Sequence, residues 1–289
     1  MAARISFLGL GVDAMTQPEA TDMVRGYWQA GEKARIFFVN AHCVNTAAAN
    51  QEYRDALAMS EQVLADGSGV LIGSKLLRVP IKHNLNGTDL VPRLCAIAAE
   101  EGRSVFLLGA HPGVACLAAR KLRERHPNLR IVGVQHGYFP PEETDAVIAR
   151  INAAKPDMLL VAFGVPWQEV WVTRHFAKLD AGVTLAVGAL FDFMSDTVPR
   201  APRLFRRIGM EWFYRLCREP RRLWRRYLIG NVTFLSRVLA VKYLGKAPIA
   251  PSYMVRGMFP AAPGREVAAV LEPREAPAER ALVEVGGRR

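Results

Sequence analysis

An α/β fold, a Rossmann-like and mostly parallel sheet flanked by helices, is predicted by two features of this sequence. Short apolar β-rich runs alternate with longer helical patterns from residue 1 to about 195, and a polar residue or a glycine follows almost every run. The strand runs are Ile36 to Val39, Val63 to Ala65, Ser104 to Leu108, Arg130 to Val134, Met158 to Ala162 and Val183 to Val187. The apolar stretch from Met1 to Gly11 carries no basic leader or small-residue cleavage site and reads as a first strand. Helical patterns occupy Pro18 to Ala30, Asp89 to Glu101, Gly113 to His126, Pro141 to Ala153 and Pro166 to Phe176. Right-handed crossovers would bring the loops after the strands to one sheet edge, where ligands of such folds bind. Asn40, Asp66, Gly109, Tyr138, Gly164 and Gly188 fall on or near those loops.

The composition changes near Pro199. Residues 200 to 246 hold thirteen Arg or Lys against only Glu211 and Glu219, and apolar residues recur there at helical spacing: Phe205, Ile208, Trp212 and Leu216, then Trp224, Leu228, Leu235 and Leu239. The expected organisation is a catalytic core over 1–197, a basic amphipathic helical appendage over 198–246, and a proline-interrupted, mostly disordered tail over 247–289.

Net charge is +11, from 38 basic against 27 acidic residues, which favours an anionic partner. Cys43, Cys95, Cys116 and Cys217 form no CxxC pair, so neither a zinc site nor a disulfide framework is indicated, and a reducing compartment fits best. No apolar run reaches the roughly 18 to 20 residues that cross a bilayer. Any membrane contact is therefore expected to be peripheral.

Several strand ends carry groups able to do chemistry, each with a plain structural reading beside it. Asp66, in Ala65-Asp66-Gly67-Ser68-Gly69-Val70, lies between a strand end and a glycine-bracketed helix start; it could serve as a general base or merely cap the helix. Asn40 and His42 follow the strand ending at Val39 and could simply close that loop. In Gly164-Val165-Pro166-Trp167-Gln168-Glu169 the helix-start amides and the Gln168 side chain are expected to face the ligand edge, a setting that suits a phosphate, or else Gln168 or Glu169 simply caps the helix. Gly188 to Phe193 repeats that arrangement, with Asp192 either between aromatic residues that could enclose a base ring or a structural aspartate under a helix. Asp89, in Asn86-Gly87-Thr88-Asp89-Leu90, reads as a helix-capping residue. Leu108-Gly109-Ala110-His111-Pro112-Gly113 is not the GxGxxG fingerprint, which weighs against a dinucleotide oxidoreductase. No two aspartates stand at i and i+2, so a DxD metal pair is missing. A nucleic-acid-binding protein using the arginine-rich helices is the alternative from another class, but it would leave the polar strand ends idle.

Taken together, the pattern resembles the WecB/TagA/CpsF family, glycosyltransferase family 26. The elements are Asn40, ADGSGV (65–70), NGTDL (86–90), FLLGA (106–110), GYF (137–139), AFGVPWQE (162–169), VGALFDF (187–193) and the long RAPRLFRRIGMEWFYRLCREPRRLWRRYL (200–228). The resemblance implies inverting, metal-independent transfer of N-acetylmannosamine, its uronic acid or glucose from a UDP-sugar to an undecaprenyl-diphosphate-linked acceptor in bacterial surface-polysaccharide or exopolysaccharide synthesis. No cofactor is implied. Asp66 then matches the catalytic base, Asn40 and Gln168 polar residues of the active site, and Tyr138 and Asp192 positions near the nucleotide. Gly188, Arg215, Arg221 and Arg222 complete the expected substrate-binding set. Phe38 stands where many members have threonine, which removes a hydroxyl contact to donor or acceptor. The expected location is cytoplasmic, against the anionic face of the inner membrane, with no nucleic-acid partner and with room for a homo-oligomer.

Overall fold

The computed structural model describes residues 3–245 and Ile249; the expected tail otherwise lies outside the described residues. Eight strands form one sheet: β1 (Ala3–Phe7), β2 (Leu10–Ala14), β3 (Ala34–Val39), β4 (Gln62–Ala65), β5 (Ser104–Gly109), β6 (Arg130–Gln135), β7 (Met158–Ala162) and β8 (Val183–Ala186). Their order is β1-β2-β4-β3-β8-β7-β5-β6. All neighbours pair in parallel except β1 and β2. The amino-terminal run is thus a hairpin rather than one strand. Leu8 and Gly9 both take positive φ, 53° and 85°, which reverses the chain in two residues with the twist a hairpin needs.

The helices of the core are α1 (Gln17–Ala30), α2 (Ala41–Ala49), α3 (Gln51–Met59), α4 (Gly67–Leu77), α5 (Gly87–Glu100), α6 (Val114–Arg125), α7 (Thr144–Ala154), α8 (Trp167–His175) and α9 (Leu190–Met194). Local chemistry sets several starts. Thr16 and Glu19 close a reciprocal capping box on α1. Asn86 caps α5 by accepting from the Asp89 amide at 2.8 Å, while Asp89 Oδ2 takes the Asn86 amide at 2.9 Å. Asp89 therefore braces the cap instead of being it.

Strands β3, β5 and β7 are buried along their whole length, as parallel strands covered on both faces must be. Alternate residues feed two cores. Phe37, Val39, Phe106 and Leu108 pack with α2, α3, α7 and α8, whereas Ile36, Phe38, Leu107 and Leu160 pack with α1, α5, α6 and α9. Phe38 is thus a core residue whose ring lies near Gly87, and a hydroxyl at that position would face the start of α5.

Beyond the sheet come α10 (Arg203–Arg207), α11 (Glu211–Arg218), α12 (Pro220–Trp224), a π-helical turn over Arg225–Ile229 and α13 (Gly230–Leu244). Phe234 and Val238 of α13 are buried. They seat against α4 where glycine removes a side chain: a Cβ on Gly73 would stand 2.9 Å from Phe7, 3.1 Å from Phe234 and 3.3 Å from Val238. Asn45 Nδ2 donates to the Gly230 carbonyl at 2.7 Å and Ser68 Oγ to the Gly209 carbonyl at 2.9 Å, so the appendage is tied to α2 and α4. Gly73→Val should cost about 1–3 kcal/mol by overpacking this seam. Urea unfolding will show a lower midpoint at unchanged slope, together with faster proteolysis within α13.

Candidate active site

The register of two neighbouring strands builds the centre of the site. Val39 of β3 faces Ala65 of β4, so the next residues, Asn40 and Asp66, emerge side by side at the carboxyl edge. Asn40 Oδ1 accepts from the His42 and Cys43 amides at 3.0 and 3.2 Å and so caps α2. That fixes its Nδ2 toward Asp66 Oδ2, at 3.0 Å. Asp66 occupies the first position before α4 but makes no side-chain cap bond; its carboxylate is left for other work. Asn40 is thus a helix cap that also bonds Asp66, while the capping reading of Asp66 fails.

Burial raises the Asp66 carboxyl above the ordinary range; the Asn40 bond and the nearby Arg226 and Arg215 pull it back, and Asp89 adds to the rise. Burial, and then Arg226, push the His42 imidazole down to about 4, so it is neutral at pH 7 and is no acid.

A cleft of about 860 Å³ opens over the carboxyl ends of β5 to β8; Asn40, Asp66 and Arg215 are not among the residues that line it. It lies where β5 and β7 adjoin and their crossovers diverge, one toward β6 and the other toward β8, the place where open α/β sheets bind ligands. On one wall Tyr138, 61% exposed, stacks on His111 at 4.3 Å between ring centroids, and its hydroxyl lies 3.0 Å from His111 Nε2. Across from β8 stand Gly188 and Asp192, and the appendage contributes Arg222. Burial raises the Asp192 carboxyl, against Arg222, His111 and Arg215. Arg215 acts on both Asp66 and Asp192 and so links the carboxylate pair to the cleft. Its guanidinium lies 5.1 Å from the centre of the Phe193 ring.

Three expectations are corrected here. Gln168 is turned inward, 2% exposed, instead of facing the ligand edge: its Oε1 accepts from the amides of Gly164 and Gly188 at 3.1 and 2.9 Å, and its Nε2 donates to Glu169. The apolar strand ends around it leave polar groups no better partners than one another. Phe191 does not enclose a ring, because it is fully buried in the core under α9. Arg221 is exposed on α12 and does not line the cleft, in contrast to Arg222 one residue on.

Sequence reading missed four residues. Arg200 binds Thr88 and Asp89, with the Asp89 ion pair at 2.6 Å, and fastens the start of the appendage to the α5 cap. Arg226 reaches Asp66 and His42 only through folding. His111 had a visible signal, its position after a glycine turn at a strand end. Glu169 is fully buried beside Gln168, and nothing local marks it apart from a helix-start acid. Among the described residues no group of three or more His, Cys, Asp or Glu has an arrangement that could hold a metal ion.

The described pattern is matched by known proteins. Residues 5–247 match the family described as "Glycosyl transferase WecG/TagA/CpsF family". Two similar proteins, from Staphylococcus aureus strains MW2 and NCTC 8325 / PS 47, are each 31% identical over 225 residues, 77% of this chain and 88% of the relative. Both bear the name N-acetylglucosaminyldiphosphoundecaprenol N-acetyl-beta-D-mannosaminyltransferase. With that match running from β1 past the end of α13, the chain belongs to the WecG/TagA/CpsF family of glycosyltransferases and is a hexosyltransferase.

Proposed function

We propose that the enzyme transfers N-acetylmannosamine, with inversion, from UDP to an N-acetylglucosamine carried on undecaprenyl diphosphate, as one step in building a cell-surface polysaccharide. The sugar and the lipid-linked acceptor follow the names of the relatives; the uronic acid and glucose are the competing donors. The observation that carries the reading is the Asp66 carboxylate, oriented by Asn40 through Oδ2 and under the charge of Arg215, which also acts on Asp192 in the cleft. Oδ1 accepts no hydrogen bond among the described residues. It is the atom that takes the proton of the acceptor hydroxyl. The acceptor oxygen then bonds to the sugar C1 as the bond from C1 to the phosphate oxygen breaks, and that electron pair leaves on UDP.

Charge grows on the departing diphosphate, and Arg222 and Arg215 are the arginines that act on Asp192 in the cleft. Tyr138 on His111 offers a flat surface for the base ring, with Asp192 opposite for the ribose. The missing DxD pair and these arginines support a reaction without metal.

No described helix is long and apolar enough to cross a membrane. The appendage has, however, an outward apolar stripe on its last turns: Leu228, Val232, Leu235, Leu239 and Tyr243 are 50, 70, 42, 38 and 71% exposed. Their spacing of three and four residues puts them on one face, and Arg225 and Lys242 are exposed near its ends. Such a stripe suits peripheral insertion into an anionic bilayer from the cytoplasmic side, where the lipid-linked acceptor resides.

Four outcomes test this reading. Asp66→Asn should lower kcat about 10²–10⁴-fold while isothermal titration still shows UDP binding; near-normal turnover would remove Asp66 as the base. Because burial raises its carboxyl, activity in the parent enzyme should fall toward acid from a pH above the ordinary carboxylate range. Turnover should persist in excess EDTA, and activity that vanishes with chelator and returns with magnesium or manganese would refute the metal-free mechanism. Val232→Glu with Leu239→Glu should abolish flotation with phosphatidylglycerol vesicles yet keep activity on a short soluble acceptor; unchanged flotation would refute the membrane face.

A further inference from the structure

Glu169 is 0% exposed. Its Oε1 accepts from Gln168 Nε2 at 2.8 Å, and its Oε2 has no hydrogen-bond partner among the described residues. The groups that face it from the packed helices are the Cys43 thiol of α2 and the Tyr53 phenol of α3, both fully buried and both subject to its charge. Neither is a cation, and no Lys or Arg acts on Glu169. A carboxylate here would have lost water and gained no compensating charge, whereas a carboxylic acid needs none.

What this buried acid holds is the amide of Gln168. An amide can rotate by half a turn and exchange its oxygen and nitrogen. In the observed orientation Oε1 receives two backbone amides, that of Gly164 after β7 and that of Gly188 after β8. Both glycines take positive φ, 83° and 56°, and both line the cleft. The reversed orientation would set an NH₂ against two N–H donors. Glu169 Oε1, as an acceptor for Nε2, selects the first.

We propose that Glu169 is a positioning residue that locks the Gln168 amide and thereby clamps the β7 and β8 loops at the width the donor cleft requires. The catalytic benefit rests on the function proposed above; the clamp itself does not. Burial pushes the Glu169 carboxyl up to about 8, while Oε1 accepts from Gln168 in either protonation state, so the clamp itself does not depend on the proton. The sign for stability follows. The unfolded glutamate loses its proton near its ordinary value of 4.5 and the folded one near 8, so the folded state binds the extra proton between those values. Stability attributable to Glu169 is full below about 4.5 and declines until about 8.

The test reads the clamp directly, by amide hydrogen exchange at Gly164 and Gly188 in the full-length enzyme, corrected for the intrinsic rate at each pH. Glu169→Gln keeps an acceptor oxygen without an ionisable group, so both amides should stay protected. In Glu169→Ala, which removes the acceptor, protection should fall at least tenfold at pH 7 relative to the parent enzyme. The melting temperature of Glu169→Gln relative to the parent should rise with pH between 5 and 8. Should Glu169→Ala fail to fold, Glu169→Leu, which fills the same space without an acceptor, decides instead. Protection at Gly164 and Gly188 unchanged from the parent in Glu169→Ala or Glu169→Leu would overturn the proposal, even if the sugar donor is later assigned differently; loss of donor turnover with the exchange pattern as expected would overturn only the assigned reaction.

Discussion

The pairing of β3 with β4, Val39 opposite Ala65, is the constraint on which the site depends. Parallel neighbours in register end together, so the two helix starts that follow are held a few ångströms apart by the sheet's own hydrogen bonds. Asn40 spends its oxygen on one helix start and has only its nitrogen to give. Asp66 receives it because no cap bond competes for its carboxylate. A one-residue slip would turn both side chains to the other face, and the buried strands on either side leave no room for that.

The electrostatics repeat one arrangement. Asp66, Asp192 and Glu211 are all raised by burial, and arginines from the residues after Pro199 pull each of them back. The basic segment is therefore joined to the site's chemistry and is not a separate charged surface. Arg215 matters most in this arrangement, since it acts on a carboxylate at each end. In the proposed reaction an arriving diphosphate would compete for the same guanidinium groups, and freeing Asp66 from them would raise its affinity for a proton.

Attachment of this segment is mostly apolar and uses small residues. Gly69 and Gly73, one helical turn apart on α4, let Phe234 approach closely, and Val238 fills the next position. Hydrogen bonds at Asn45, Ser68 and Arg200 fix the register of that contact. The arginines over the cleft thus owe their positions to packing some turns away, and the opposite face of the same helix is left apolar toward solvent.

By itself the sequence determined the α/β class, six of the eight strands to within about two residues, the sheet edge that carries the site, and the Asn40 and Asp66 positions on it. These follow from local periodicity and from what stands just after each apolar run, and local rules govern both. The amino-terminal hairpin was hidden because its turn depends on two positive φ angles inside an apolar run. Tertiary structure alone decided the rest. Gln168 faces inward because two loops and a buried acid from the same layer need its amide. The last helix is apolar on two sides, and periodicity gives no basis for choosing which of them packs; the glycine seam on α4 chooses Phe234 and Val238. Arg215 and Arg226 look like any other arginines in a basic run. Only the fold places them near Asp66, about 150 residues earlier in the chain, because charge acts through space and not along the sequence.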